Sequence, residues 1–204
     1  SQKRELILPD IKKFKSSDNK KIEIDIQESS ACPRYAGCII DNIKINESPS
    51  EIKDLLICIG INPINNVVDI TNYVLHSLGQ PLHAFDFEKI SKEKIIVRYG
   101  NKNEKFITLD GIERKLKEDD LMICDGENKP MCIAGVFGGE NSGVTEETKT
   151  IFLESAYFNP SDIRKSSLNH GLKTDASYRF ERGIDPNITV FALKFASILI
   201  NKYC

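Results

Sequence analysis

Between residues 94 and 158 the chain breaks into short β-prone runs separated by turn signals. "KIIVRYG", "EKFITLDGIERKL" and "LMICDGENKPMCIAGV" are rich in β-branched and apolar residues. The dipeptides Asp110-Gly111 and Asp125-Gly126 inside them are the type that reverses a hairpin. "TIFLESAYF" (150–158) adds a further strand. Strands gathered in the middle of a chain, with helical patterns before and after, point to an α+β fold rather than to alternating βαβ units. The expected architecture is central antiparallel β-hairpins, or sandwich-like sheets, flanked by helices.

The flanks carry the matching signals. "KIEIDIQ" alternates Ile22, Ile24 and Ile26 with charged residues, which predicts a half-buried strand, and "YAGCIIDNIKIN" (35–46) predicts a second. In "SPSEIKDLLICIG", Ser48 is placed to cap a helix, with Pro49 at its first position, Glu51 closing a capping box and Gly60 past its end; Ile52, Leu55, Leu56 and Ile59 would share its buried face. A second helix is predicted from Asn66 to Leu78, with Val67, Ile70, Val74 and Leu78 as its stripe and Gly79 as its stop. Asn159-Pro160 starts a short helix ended by Gly171, and Asp185-Pro186 caps a long one with Phe191, Phe195, Ile198 and Leu199 as its apolar stripe. The chain opens on a plausible strand, Glu5 to Leu8, and stops just after an apolar helical run. Residues 1–204 therefore read as a single region excised from a longer protein, with 1–30 as N-terminal flanking strands.

Composition narrows the function classes. With 204 residues, 40% hydrophobic and 28% charged, the chain can bury a real core and is not disordered. A net charge of -2 disfavours strong autonomous binding of nucleic acid, because phosphate affinity scales with the cations brought to it. Six cysteines form no CxxC pair and no zinc spacing with histidine, so they read as buried thiols of a reducing compartment. No apolar run approaches a membrane span and no signal peptide opens the chain, which reads as cytoplasmic.

Residues able to carry chemistry are few. There is no GxSxG elbow, HExxH pair or phosphate-binding loop. His76 and His170 lie in helical patterns and read as surface or capping residues. His83, in the connection "GQPLHAFD", is either a hydrogen-bonded structural histidine or part of a site. Gly138-Gly139 serves a tight turn or the close approach of a ligand. By alternation Glu154 shares a face with Phe152, so its carboxylate must be paired, for example with Arg179 or Arg182, or must bind something. Thr71 and Asn72 are polar interruptions of a good helix, solvated or functional. In "GLKTDASYRFERGIDP" (171–186), Thr174 can cap a helix and leave the amides near Asp175 and Ala176 free, while Asp175 with Arg179 and Tyr178 with Arg182 offer a purely structural pairing.

In combination these stretches are more specific. "VVDITNYVLHSLGQPLHAFD", "GVFGGENSGV", "IFLESAYF" and "HGLKTDASYRFERGIDP", in this order and spacing, resemble the β subunit family of bacterial phenylalanyl-tRNA synthetases, in its central editing region, the third and fourth domains. The resemblance runs from about Pro33 to Ile200. It implies an α2β2 heterotetramer whose α subunit joins phenylalanine to tRNA(Phe) using ATP and Mg²⁺, while this region hydrolyses mischarged tyrosyl-tRNA(Phe). Neither ATP nor a metal is implied for this region itself, which lacks the aminoacylation motifs. The family's site residues carry over to Glu154, which would accept the tyrosine hydroxyl, to Thr71 and Asn72, which would hold the amino-acid portion, to His83 near the scissile ester, and to Gly138, Thr174 and Ala176 as pocket walls. The alternative is a non-catalytic structural or tRNA-docking module of the same synthetase.

Overall fold

A computed structural model describes residues 7–16 and 20–204. Its strands are β1 (Glu23–Ile26), β2 (Arg34–Asp41), β3 (Leu82–Asp86), β4 (Lys94–Tyr99), β5 (Lys105–Ile107), β6 (Glu113–Lys115), β7 (Leu121–Asp125), β8 (Pro130–Ile133), β9 (Phe137–Gly138) and β10 (Thr150–Tyr157). The helices are α1 (Ser50–Cys58), α2 (Asn66–Leu78), α3 (Pro160–His170), α4 (Asp175–Phe180) and α5 (Ile188–Tyr203). The strands form a five-stranded sheet ordered β1-β4-β7-β8-β9, a three-stranded sheet ordered β2-β10-β3, and the β5-β6 hairpin. Every pairing is antiparallel except β1 with β4. The α+β expectation with antiparallel sheets and flanking helices holds. No helix among the described residues is long and apolar enough to cross a membrane.

The three-stranded sheet organises the molecule because β10 lies at its centre and serves two cores. Period-2 alternation sends Phe152 and Ala156 into one core with Phe85, Phe106, Met122, Ile123 and Phe158, shared with the five-stranded sheet. The opposite face sends Ile151 and Leu153 into a second core with Val67, Ile70 and Val74 of α2 and Ala192, Leu193 and Ala196 of α5. Glu154 shares its face with Phe152, as the alternation predicts, and so points into the first core.

Helix α2 spans the predicted residues. The Asn65 side chain accepts from the Val68 N–H at its start, and Gly79 at φ 75° closes it in the left-handed region that glycine enters without strain. Other readings need correction. Ser48 does not cap α1: its hydroxyl donates to Asp69 of α2 at 2.5 Å, the helix starts at Ser50, and Glu51 closes no capping box. Only Ile52 and Leu56 of α1 are buried, while Leu55 and Ile59 are about half exposed, because the helix presses a single narrow stripe onto α2. Helix α5 begins two residues after Pro186, where Asp185 accepts from the Asn187 N–H at 2.8 Å. Its buried face is Ala192, Leu193, Ala196 and Ile200 rather than the phenylalanines, since small residues let it approach α2 and β10 closely. The strand expected over Glu5–Leu8 lies partly outside the described residues, and its described part, Ile7 and Leu8, is not in a strand.

The minor sites of the sequence reading also resolve. His170 is no surface residue: its Nε2 lies 2.6 Å from Asp120 Oδ2 with both side chains buried. Asp175 does not pair with Arg179 but faces His76 at 3.7 Å, whereas the guanidinium of Arg182 stacks on Tyr178 at 3.5 Å, as predicted. Gly138 and Gly139 serve close packing, not positive φ: a Cβ on Gly139 would meet the Met131 carbonyl oxygen at 2.7 Å. All six cysteines are free thiols, Cys58 being exposed and the rest at least half-buried, and no group of potential ligands among the described residues could hold a metal.

Candidate functional site

A cavity of about 310 Å³ opens where α2, β3, the β8–β9 turn, β10 and α4 converge. Helix α2 contributes Thr71, Asn72 and Leu75; β3 contributes Leu82 and His83; the turn following β5 contributes Leu109; the β8–β9 segment contributes Cys132 and Gly135 to Gly138. Glu154 comes from β10, and Thr174, Asp175 and Ala176 from the start of α4. Among the described residues, no lysine or arginine lines it. Every residue singled out in the sequence as a candidate, namely Thr71, Asn72, His83, Gly138, Glu154, Thr174 and Ala176, borders this one space.

Strand pairing fixes the centre of the site. Glu154 is opposite His83 on β3 and opposite Gly37 on β2. In antiparallel sheets such direct partners have their Cβ atoms about 5 Å apart on the same face. His83 thus sits within β3 rather than in the connection before it, beside the carboxylate. Its ring meets Phe85 edge-on, with centroids 4.4 Å apart. Its Nε2 is buried and has no hydrogen-bond partner among the described residues, a condition that costs free energy and is uncommon in folded proteins. Gly138 lies against it: a Cβ there would stand 3.1 Å from His83 Cε1 and 2.9 Å from Leu109 Cδ1.

Glu154 is only 5% exposed, yet its partner is not a guanidinium. Arg182 pairs with Glu181 instead. The Tyr35 hydroxyl donates to Glu154 Oε2 at 2.7 Å, and no described group donates to Oε1. Burial pushes the Glu154 carboxyl up to about 7, against the hydrogen bond from Tyr35, which favours the ionised form. Burial moves His83 the other way, down to about 4, so its imidazole is neutral at physiological pH. Burial likewise holds the Cys132 thiol well above its ordinary value, with Glu154 adding to the effect. Its S–H points at the Ile133 and Phe137 carbonyl oxygens at 3.3 and 3.4 Å, so it is a poor nucleophile.

The remaining walls follow from local sequence. Thr71, which borders the cavity, donates its hydroxyl to the Val68 carbonyl at 2.7 Å, satisfying that donor inside the helix. Thr174 accepts from the Ser177 N–H in a capping box and donates to the Val136 carbonyl at 3.0 Å, tying α4 to the β8–β9 turn. Gly135, at φ 65°, lets that turn approach Phe180, whose ring a Cβ would meet at 2.8 Å.

Residues 31–204 match the protein-family model described as the B3/4 domain. The chain belongs to the B3/4 domain family. Over 181 residues this B3/4 domain is 55% identical to the phenylalanine–tRNA ligase beta subunit of Bacteroides fragilis, covering 89% of this chain and 22% of that protein. Over 196 residues it is 52% identical to the phenylalanine–tRNA ligase beta subunit of Porphyromonas gingivalis, covering 96% of this chain and 24% of that protein. The chain thus spans less than a quarter of the length of these curated relatives. The crystal structure of an N-terminal fragment of the phenylalanyl-tRNA synthetase beta subunit from Pyrococcus horikoshii shares the fold, with a TM-score of 0.52 at 17% identity, covering 76% of this chain and 50% of that one.

Within the B3/4 domain, sequence reasoning missed Tyr35, Gly37, Leu109 and Cys132. Tyr35 and Glu154 are separated by 119 positions, and nothing local to either announces the other. The one available signal was the glycine in "RYAGC", an unusual residue for the interior of a strand, where it marks close approach by another group.

Proposed function

We propose that this B3/4 domain is the editing module of a phenylalanine–tRNA ligase beta subunit and hydrolyses the ester of tyrosyl-tRNA(Phe). The observation that carries the reading is Glu154: a buried carboxylate with no cationic partner among the described residues, one oxygen occupied by Tyr35 and the other unpaired, on the wall of a cavity lined mostly by small and apolar groups. A pocket shaped for phenylalanine cannot strongly reject an analogue that merely adds a hydroxyl, so accuracy calls for a second site that rewards the hydroxyl. Tyrosine entering this cavity gives Oε1 a donor. Phenylalanine would bury the same oxygen without one, at a cost of about 1–3 kcal/mol.

The chemistry asks little of the protein. Water oxygen bonds to the ester carbonyl carbon, the bond to the ribose oxygen breaks, and that oxygen leaves with a proton, releasing tyrosine and tRNA. The neutral imidazole of His83 and its unpartnered Nε2 are available to hold the water or the ligand, and the protonated Cys132 argues against a covalent route. Thr71 and Asn72 would bind the amino-acid portion; Gly138, Thr174 and Ala176 would leave room for the ring. In this reading the domain works within an α2β2 ligase that binds ATP, Mg²⁺ and tRNA(Phe) elsewhere.

The test is deacylation of tyrosyl-tRNA(Phe) by the intact ligase carrying Glu154→Gln. Hydrolysis by the wild-type ligase that falls at least tenfold in the variant, with aminoacylation retained, supports editing at this site; a wild-type ligase that does not hydrolyse tyrosyl-tRNA(Phe) refutes editing and favours a docking role, and a variant as fast as wild type removes Glu154 from the site.

A further inference from the structure

Resting on that reading, we propose that Tyr35 is a positioning residue for specificity: by donating to Oε2 it fixes the Glu154 carboxylate so that Oε1 alone is offered to the ligand's hydroxyl. Tyr35 is not among the residues that line the cavity. It acts from behind the carboxylate.

The geometry is set by the pairing of β2 with β10. The residue directly opposite Glu154 on β2 is Gly37, which has no side chain to offer, and the next residue on that face toward the start of β2 is Tyr35, opposite Ala156. A diagonal neighbour is within reach of a long aromatic side chain, and the phenol covers that distance to make the 2.7 Å bond. The space above Gly37 is filled by Phe152, since a Cβ on Gly37 would stand 2.3 Å from Phe152 Cζ. Phe152 in turn stacks on the Tyr35 ring, with centroids 6.5 Å apart and planes 15° from parallel. Glycine at 37, phenylalanine at 152 and tyrosine at 35 therefore hold one another, and the tyrosine hydroxyl holds the carboxylate.

The consequence for specificity is physical. A carboxylate free to rotate can turn either oxygen to the cavity, or recruit water, and so tolerate a ligand without a hydroxyl. A carboxylate held at Oε2 has one fixed acceptor, and a ligand that fails to satisfy it leaves it unpaired. The bond also favours the ionised acceptor over the neutral acid. The other titratable groups facing Glu154 do not supply this: His83 on β3 is neutral, and Cys32 before β2 and Cys132 on β8 are protonated thiols. Asp175 borders the same cavity from α4 and adds no positive charge.

The experiment compares wild type and Tyr35→Phe in the intact ligase, with two readouts. The first is the titration midpoint of the Glu154 side-chain carboxyl, followed by carbon-13 NMR without ligand. It moves to higher pH in Tyr35→Phe, and in protein bearing a fluorinated tyrosine at 35, a more acidic donor of the same shape, it moves to lower pH. The second is the ratio of kcat/KM for tyrosyl- over phenylalanyl-tRNA(Phe) deacylation, which falls about tenfold in Tyr35→Phe, the worth of one hydrogen bond to a charged group. A midpoint indifferent to both changes, or a ratio unchanged in a folded Tyr35→Phe protein, overturns the proposal. Failure of the editing reading is distinct: there the wild-type enzyme itself does not hydrolyse tyrosyl-tRNA(Phe), whatever the midpoint does.

Discussion

Glu154 on β10 and His83 on β3 are direct cross-strand partners, and burial displaces their protonation in opposite directions, the carboxyl up to about 7 and the imidazole down to about 4. The unfolded chain ionises Glu154 near pH 4.5, so the stability this residue contributes is full below 4.5 and is lost as pH rises toward 7. The unfolded chain protonates His83 near 6.5, so its contribution is intact above 6.5 and is lost as pH falls toward 4. Between pH 4.5 and 6.5 the folded state carries one proton more on Glu154 and one fewer on His83, and the two slopes cancel.

Single substitutions therefore unmask opposite trends. Measured against wild type by urea unfolding across that window, Glu154→Gln gains stability with rising pH and His83→Gln loses it, each with a slope approaching about 1.4 kcal/mol per pH unit. Three parallel pH profiles would show that the pair is not protonated in this way.

Ala176 is half-buried at the start of α4 and borders the cavity. Ala176→Phe projects a ring into space that the proposed ligand needs, without cutting a hydrogen bond of the fold. Tyrosine binding by calorimetry and deacylation both fall at least tenfold, while the unfolding midpoint moves by less than the equivalent of about 1 kcal/mol. Undiminished binding would place the ligand elsewhere.

Gly37 tests the sheet behind the site. Its Cβ position lies 2.3 Å from Phe152 Cζ, so Gly37→Ala forces the Phe152 ring out of its place between Tyr35 and Phe85. Overpacking of this kind costs about 1–3 kcal/mol. Denaturant unfolding measures that loss, and near-ultraviolet circular dichroism follows the disturbed aromatic stack. A neutral substitution would mean that the ring relocates freely.

The same residues show what the sequence could carry. The bounds of α2 were legible because its apolar stripe and terminal glycine are local signals, and the hairpins β5-β6 and β7-β8 because an Asp-Gly dipeptide marks each of their turns. The faces of α1 and α5 were not, since depth of burial depends on what packs opposite: Leu55 and Ile59 stay outside for want of a neighbour, and alanines of α5 go inside because α2 and β10 come close. The candidate site was legible through its resemblance to a family, which gathered residues scattered from 71 to 176. The groups behind it, Tyr35 and Gly37, depend on a register between strands more than a hundred residues apart, which no local pattern encodes.

Asp120 lies outside the lining of the cavity. Its carboxylate is fully buried and accepts from His170 Nε2 at 2.6 Å, from the Lys117 N–H at 2.8 Å and from Asn169 Nδ2 at 3.1 Å, joining the start of β7 to the last turn of α3. Burial alone would raise its pKa, but the hydrogen bonds from His170, Lys117 and Asn169 together hold it below the usual carboxylate range. A carboxyl depressed on folding contributes stability that is complete above the unfolded value of 3.8 and is lost as pH falls through the lower folded value. Asp120→Ala leaves the buried imidazole, amide and backbone donors without an acceptor, and costs about 3–5 kcal/mol near neutral pH. Measured by denaturant unfolding, that deficit stays level from neutral pH down to 3.8 and narrows below it, as wild type loses the same contribution. A deficit independent of pH throughout would assign the loss to packing rather than to the charge.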